Sequence, residues 1–260
     1  MTAMASPIVL GYGGSPHSKV ALTWAERLAC HLDRPLVVLV SVLDVMHVSG
    51  VSDELAGAQV VRDLEQLLDG SAAAVTVRTV ATSPGPALVR ETQHAHLTAL
   101  GARTHGPLAS MVRGSVSQHV TRHAHGPVVV VREPQAAHTQ QVVIGADGSP
   151  GSHAALEFGF DHAHQLGSSV TVVHTHDHDK SSTEAPLRET VDALAGKYAG
   201  VAATVQVVTS PPAKALTEAS QAAEIVVVGS RGRSPLAGLV LGSVSQSLLE
   251  HAQCPVAIVH

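Results

Sequence analysis

The sequence predicts an α/β protein built of two Rossmann-like doubly wound domains, each a five-stranded parallel sheet flanked by helices. Three observations carry that expectation. The chain repeats itself, short Val/Leu/Ile runs alternate with helical patterns, and those runs are apolar enough for strands covered on both faces. Slid along itself, "GARTHGPLASMVRGSVSQHVTRHAHGPVVVV" (Gly101 to Val131) falls on "GSRGRSPLAGLVLGSVSQSLLEHAQCPVAIV" (Gly229 to Val259) with about half the positions identical. "LGYGGSPHS" from Leu10 matches "IGADGSPGS" from Ile144, and "TSPGPAL" at Thr82 matches "TSPPAKAL" at Thr209. The polar stretch Glu133 to Gln140, where Pro134 ends a strand, separates the copies, so the domains are expected over 1–133 and 140–260. A linker that short implies copies docked on each other.

The elements follow in order. Ile8 to Leu10 opens the first copy as a strand, closed by a Gly turn and a Ser-Pro pair that signals a helix N-cap and first turn. In that helix Ala21, Trp24, Ala25, Leu28 and Leu32 share one face, with Trp24 expected in the core. Leu36 to Val42, Val75 to Val80, Leu97 to Leu100 and Val128 to Val131 read as the remaining strands. The second copy mirrors them at Val142 to Ile144, Val170 to His174, Val201 to Val208, Ile225 to Val228 and Val256 to Val259. Leu187, Val191, Leu194 and Tyr198 line one face of its middle helix, and one of Phe158 and Phe160 must face inward.

Composition narrows the function. With an aromatic share of 2%, the core must be built from Val, Ala and Leu. The net charge is −5 and no Lys/Arg cluster forms a basic stripe, which argues against nucleic acid or an anionic membrane as partner. The longest apolar stretch, Pro35 to Leu43, is far below the ~18 residues of a membrane span, and the N-terminus lacks the basic start of a signal peptide. A cytoplasmic protein is expected. Cys30 and Cys254 stand without CxxC spacing and are expected to be buried free thiols.

In an open parallel sheet the ligand crevice lies beyond the carboxyl ends of the strands, where the winding reverses. The strand Ile225 to Val228 delivers Gly229 to that edge. Gly229 and Gly232 can take positive φ and admit an anion close to the backbone, while Gly242 and Ser243 open a helix whose N–H groups aim at the same place. Ser243 and Ser245 add hydroxyl donors. Together these residues can cradle a phosphate without a basic side chain.

These residues carry a resemblance. "GSRG", nine residues and "GS" form the G-x2-G-x9-G-[ST] pattern of the universal stress protein family, and "VVIGADGSPGSHAAL" and "CPVAIV" resemble its first and last strands. The chain thus resembles a tandem, ATP-binding universal stress protein, a regulatory module of the stress response. The resemblance implies a strand order of 3-2-1-4-5, with ATP across the ends of strands one and four. Gly229, Gly232, Gly242 and Ser243 would wrap the ribose and phosphates, with Val244 and Ser245 beside them and Arg231 leaning toward the phosphates. Asp147 would face the nucleoside and the water of an accompanying Mg2+, and the main chain around Val173 and His174 would meet the adenine. In the first copy Gly13 stands for Asp147 and Thr104 for Gly232, while Gly101, Gly114 and Ser115 remain, which implies a weaker site. The family commonly pairs its fifth strands, here Pro127 to Val131 and Pro255 to Val259, within the chain or in a homodimer.

Other readings compete. "GYGGSP" places Pro16 where a dinucleotide fingerprint needs its third glycine, and no GxxxxGK[ST] stretch exists. The proposed loop lacks Lys, so binding is better supported than turnover, with a slow ATPase or an adenylyl-transferring enzyme as the competing class and a scaffold without ligand as a third. His174, His176 and His178 alternate in "HTHDHD" and could hold a metal, but solvated loop histidines are the default. Arg231 and Arg233 flank Gly232, where solvated arginines are the commoner case.

Overall fold

A computed structural model describes residues 5–42, 53–102, 115–132, 140–175, 184–232 and 241–260. The chain divides into two compact units, Met1–Arg132 and Glu133–His260. In the first, β1 (Ile8–Tyr12), β2 (Leu36–Ser41), β3 (Val75–Val80), β4 (Leu97–Gly101) and β5 (Val128–Val131) lie in the order β3-β2-β1-β4-β5 with every neighbouring pair parallel. Its helices are α1 (Pro16–His31), α2 (Asp53–Leu67), α3 (Pro84–Glu91) and α4 (Ser115–His123). The second unit repeats the plan. Its strands β6 (Gln141–Gly145), β7 (Ser169–Thr175), β8 (Ala203–Val208), β9 (Ile225–Gly229) and β10 (Val256–Val259) run parallel in the order β8-β7-β6-β9-β10. Its helices are α5 (Pro150–Leu166), α6 (Glu184–Lys197), α7 (Pro212–Ala219) and α8 (Ser243–His251).

The predicted caps form. Ser15 Oγ accepts from Ser18 N at 3.2 Å and Ser149 Oγ from Ser152 N at 3.2 Å, each followed by Pro at the first helical position, which satisfies one orphan N–H and presets φ. α5 ends on Gly167 at φ 68, where a side chain would be strained. In the second unit α5 packs on β6 and β9, while α7 and α8 pack on each other, with α7 also meeting β6 and β7. Val143, Val226, Val228, Leu216, Leu248 and Ile258 form the core beneath α7 and α8. Val9, Leu39, Leu88, Leu100, Val120 and Val128 form its counterpart in the first unit. No described helix is long and apolar enough to cross a membrane.

Several expectations are corrected. The strand expected from Val201 begins at Ala203, because Gly200 at φ 94 and the bond from Val201 N to Tyr198 O still belong to the turn that closes α6. β3 and β8 are not covered on both faces: each stands at the margin of its unit's order and alternates half-buried with exposed positions. The buried stripe of α1 runs through Ser18, Ala21, Leu22, Ala25, Leu28 and Ala29, small residues that seat the helix close to the sheet. Trp24 borders that stripe and is only half-buried, and Cys30 falls off it and is exposed, whereas Cys254 is buried. Of the two phenylalanines, Phe160 faces inward and is fully buried.

Phe160 therefore tests the second core. Phe160→Ala is expected to destabilise the protein by about 3–5 kcal/mol in urea unfolding, and half-buried Phe158→Ala by clearly less.

Candidate functional site

β6 and β9 are neighbours, and their carboxyl ends mark the point where the winding of the second unit reverses. After β6 the chain turns through Ala146, Asp147 and Gly148 into the cap of α5. Asp147 Oδ1 accepts from Ser149 N at 2.9 Å, a side-chain turn that works because Gly148 takes φ 79. Consecutive caps by Asp147 and Ser149 thus aim the start of α5 at the end of β9.

The two backbones meet there without side chains between them. A Cβ added to Gly229 would lie 2.6 Å from the carbonyl of Gly151, and one added to Gly151 would lie 2.6 Å from Arg231 O. A Cβ on Gly232 would lie 2.7 Å from Asp147 Oδ2. The expectation of positive φ at Gly229 and Gly232 is corrected, since neither is among the glycines with positive φ. Crowding by neighbouring backbone is what demands glycine at Gly229 and Gly151, while Gly232 lies close against the Asp147 carboxylate.

Beyond Gly229 the loop is pinned at both ends. Ser230 N donates to Val259 O at 2.6 Å, and Ser230 O accepts from Gly242 N at 2.8 Å. Ser245 Oγ donates to Gly229 O at 2.8 Å, so this buried hydroxyl braces α8 against β9 rather than being held ready for a ligand, which corrects the expected donor role. Gly242 is the N-cap of α8 and supplies no side-chain cap. Among the described residues no side chain caps the first-turn N–H groups of Ser243, Val244 and Ser245, and the positive end of the helix dipole lies behind them. Ser243 is exposed, while Val244 is half-buried against the core.

The other expected residues lie around this centre. Arg231 is exposed. Val173 sits inside β7 and its carbonyl accepts from Ala146 N at 3.1 Å. The buried His174 ring donates its Nδ1–H to Ala146 O at 2.8 Å, joining the end of β7 to the turn after β6. Both residues thus hold the floor of the crevice. Arg233, His176 and His178 lie outside the described residues.

The first unit shares the frame but not the chemistry. Gly101 is as crowded as Gly229, for a Cβ there would lie 2.5 Å from His17 O, and Gly14 repeats the positive φ of Gly148 at 74. No carboxylate corresponds to Asp147, since Gly13 stands there. Tyr12 and Val40 take the places of Ala146 and His174, exchanging a large and a small residue across adjacent strands. The Tyr12 hydroxyl is buried with no hydrogen-bond partner among the described residues, and burial, with the nearby Asp63 charge adding to it, pushes the phenol above its usual range. Thr104 and Gly114 lie outside the described residues, and Ser115 opens α4. Sequence reasoning missed Gly151 and Ser230. The signal for Gly151 was a glycine inside a helix's first turn, "SPGS", where the first copy has His17.

Comparison with known proteins follows the same division. The family model described as the universal stress protein family matches residues 4–132 and 138–260. A universal stress protein of Mycobacterium tuberculosis is 32% identical over 284 residues, covering 96% of this chain and 96% of its own. A second from that organism is 31% identical over 282 residues, covering 96% and 95%. The crystal structure of a universal stress protein from Archaeoglobus fulgidus matches with a TM-score of 0.75 at 19% identity, over 98% of this chain and 99% of that one.

The close contact at the strand end gives a stability prediction. Gly229→Ala is expected to destabilise by about 1–3 kcal/mol through forced backbone movement, whereas Gly196→Ala, in α6 with nothing within 4 Å, is expected to stabilise by about 0.4–1 kcal/mol. Urea unfolding of the two variants beside the parent checks both signs.

Proposed function

The chain belongs to the universal stress protein family over both halves, and we propose that it binds ATP in its second unit as a regulatory module of the stress response. The observation that carries this reading is the end of α8. Its N-cap is a glycine, so no side chain among the described residues caps the first turn, and Ser230 and Ser245 tie that turn to a strand end crowded by backbone where glycine stands. Such an end favours a polyphosphate through amide donors and the helix dipole together.

In this reading Gly229, Gly232, Gly242 and Ser243 surround the ribose and phosphates, with Val244 N–H as a further donor and Arg231 free to swing toward them. Asp147, whose Oδ1 is fixed by Ser149 N–H, faces the nucleoside or a water of an accompanying Mg2+. The base lies over the junction of Val173, His174 and Ala146. Ser245 acts through Gly229 as a brace. The first unit, with Gly13 and Thr104 in the corresponding places and Gly101 and Ser115 retained, is a weaker site or a structural partner. Assembly through β5 and β10, each an unbroken apolar strand, and a cytoplasmic location belong to the same proposal.

Calorimetric titration with ATP is expected to give a stoichiometry near one per chain. Gly232→Thr, which copies Thr104 into the second unit, is expected to weaken binding at least about tenfold, the equivalent of some 1.4 kcal/mol. Two similar sites per chain, or an unchanged affinity in the variant, would contradict the reading.

A further inference from the structure

α4 of the first unit carries two histidines one turn apart. His119 and His123 share a face of the helix, and their rings lie 4.5 Å apart between centroids at an interplanar angle of 31°. His123 is exposed and donates its Nδ1–H to His119 O at 2.8 Å. That bond sets the tautomer and leaves the Nε2 lone pair as the ring's free coordinating atom, the arrangement by which metal-ligating histidines are usually oriented. His119 is half-buried against α3: a Cβ on Gly85 would lie 2.8 Å from its Cδ2, so the ring is wedged on bare backbone.

We propose that His119 and His123 form a two-imidazole chelate for a late first-row divalent ion, Cu2+, Ni2+ or Zn2+. Imidazole nitrogens suit these ions, and a pair at this helical spacing can present both lone pairs to one of them. No group of three or more His, Cys, Asp or Glu gathers for a metal among the described residues, so water completes the coordination and the ion exchanges readily.

The second unit is a comparator written into the same chain. His251 makes the same bond from Nδ1 to Ser247 O, at 3.0 Å, but Ser247 stands where His119 does and Ala213 where Gly85 does. One unit thus has the paired rings with a glycine that makes room for His119, and the other has a single ring and no glycine. The site is independent of the nucleotide reading.

The test uses the full chain carrying His176→Gln and His178→Gln, so that the "HTHDHD" histidines do not compete. Calorimetric titration with Ni2+ is expected to give one ion per chain, and substoichiometric Cu2+ is expected to broaden amide resonances of α4 and the facing part of α3 first. His119→Ser, the residue the second unit already carries there, is expected to weaken Ni2+ binding about a hundredfold, the gain a second linked ligand supplies. His123→Gln on the exposed side gives the same loss if His119→Ser fails to fold, and His251→Gln changes nothing. Unchanged Ni2+ affinity in both His119→Ser and His123→Gln, or Cu2+ broadening centred outside α4 and α3, would overturn the proposal and leave the pair a packing contact.

Discussion

The approach of the first turn of α5 to the end of β9 is the constraint on which the rest of the second unit depends. Gly151 and Gly229 meet backbone to backbone, at a separation that admits no Cβ on either. This contact brings the Asp147 turn, the Ser149 cap and the mouth of the Ser230 loop to one strand end. The bond from Gly242 N to Ser230 O and that from Ser245 Oγ to Gly229 O then carry the start of α8 to the same place. A cradle of main-chain donors results, and the two bonds that carry α8 to it join neutral groups, which salt does not screen.

Duplication explains why one chain can hold two unequal crevices on one plan. Both units keep the strand order, the Ser-Pro cap and the crowded glycine at the end of the fourth strand. Among the differences are side chains around that frame: Tyr12 and Val40 against Ala146 and His174, Gly13 against Asp147, and Gly85 with His119 against Ala213 with Ser247. The last exchange conserves space, since a large ring accompanies the glycine and a small hydroxyl accompanies the alanine. Tight packing makes such paired changes the tolerated ones.

Much of the fold was legible because parallel strands buried on both faces leave long apolar runs, and because Ser-Pro marks a helix start by chemistry local to a few residues. Burial was less legible. The stripe of α1 is set by how the helix rolls on its sheet, so Trp24 and Cys30 fell outside it, and β3 and β8 alternate because of their place at a margin. At the site, the glycines were legible as a group but the reason for them was not. Spacing suggested positive φ, whereas the demand comes from contacts between Gly229 and Gly151 and between Gly232 and Asp147, which are far apart in sequence. The role of Ser245 was hidden likewise, since its acceptor, Gly229 O, lies on another element.

In the proposed binding mode, main-chain amides at the start of α8 and the end of β9 hold a triphosphate. Backbone amide NMR of the isotopically labelled chain during addition of ATP tests it most directly. The largest shifts are expected at Gly229, Gly232, Gly242, Ser243 and Val244, with Gly101 and Ser115 of the first unit little moved. Shifts concentrated in the first unit, or an α8 end that stays unmoved while ATP binds elsewhere, would contradict it.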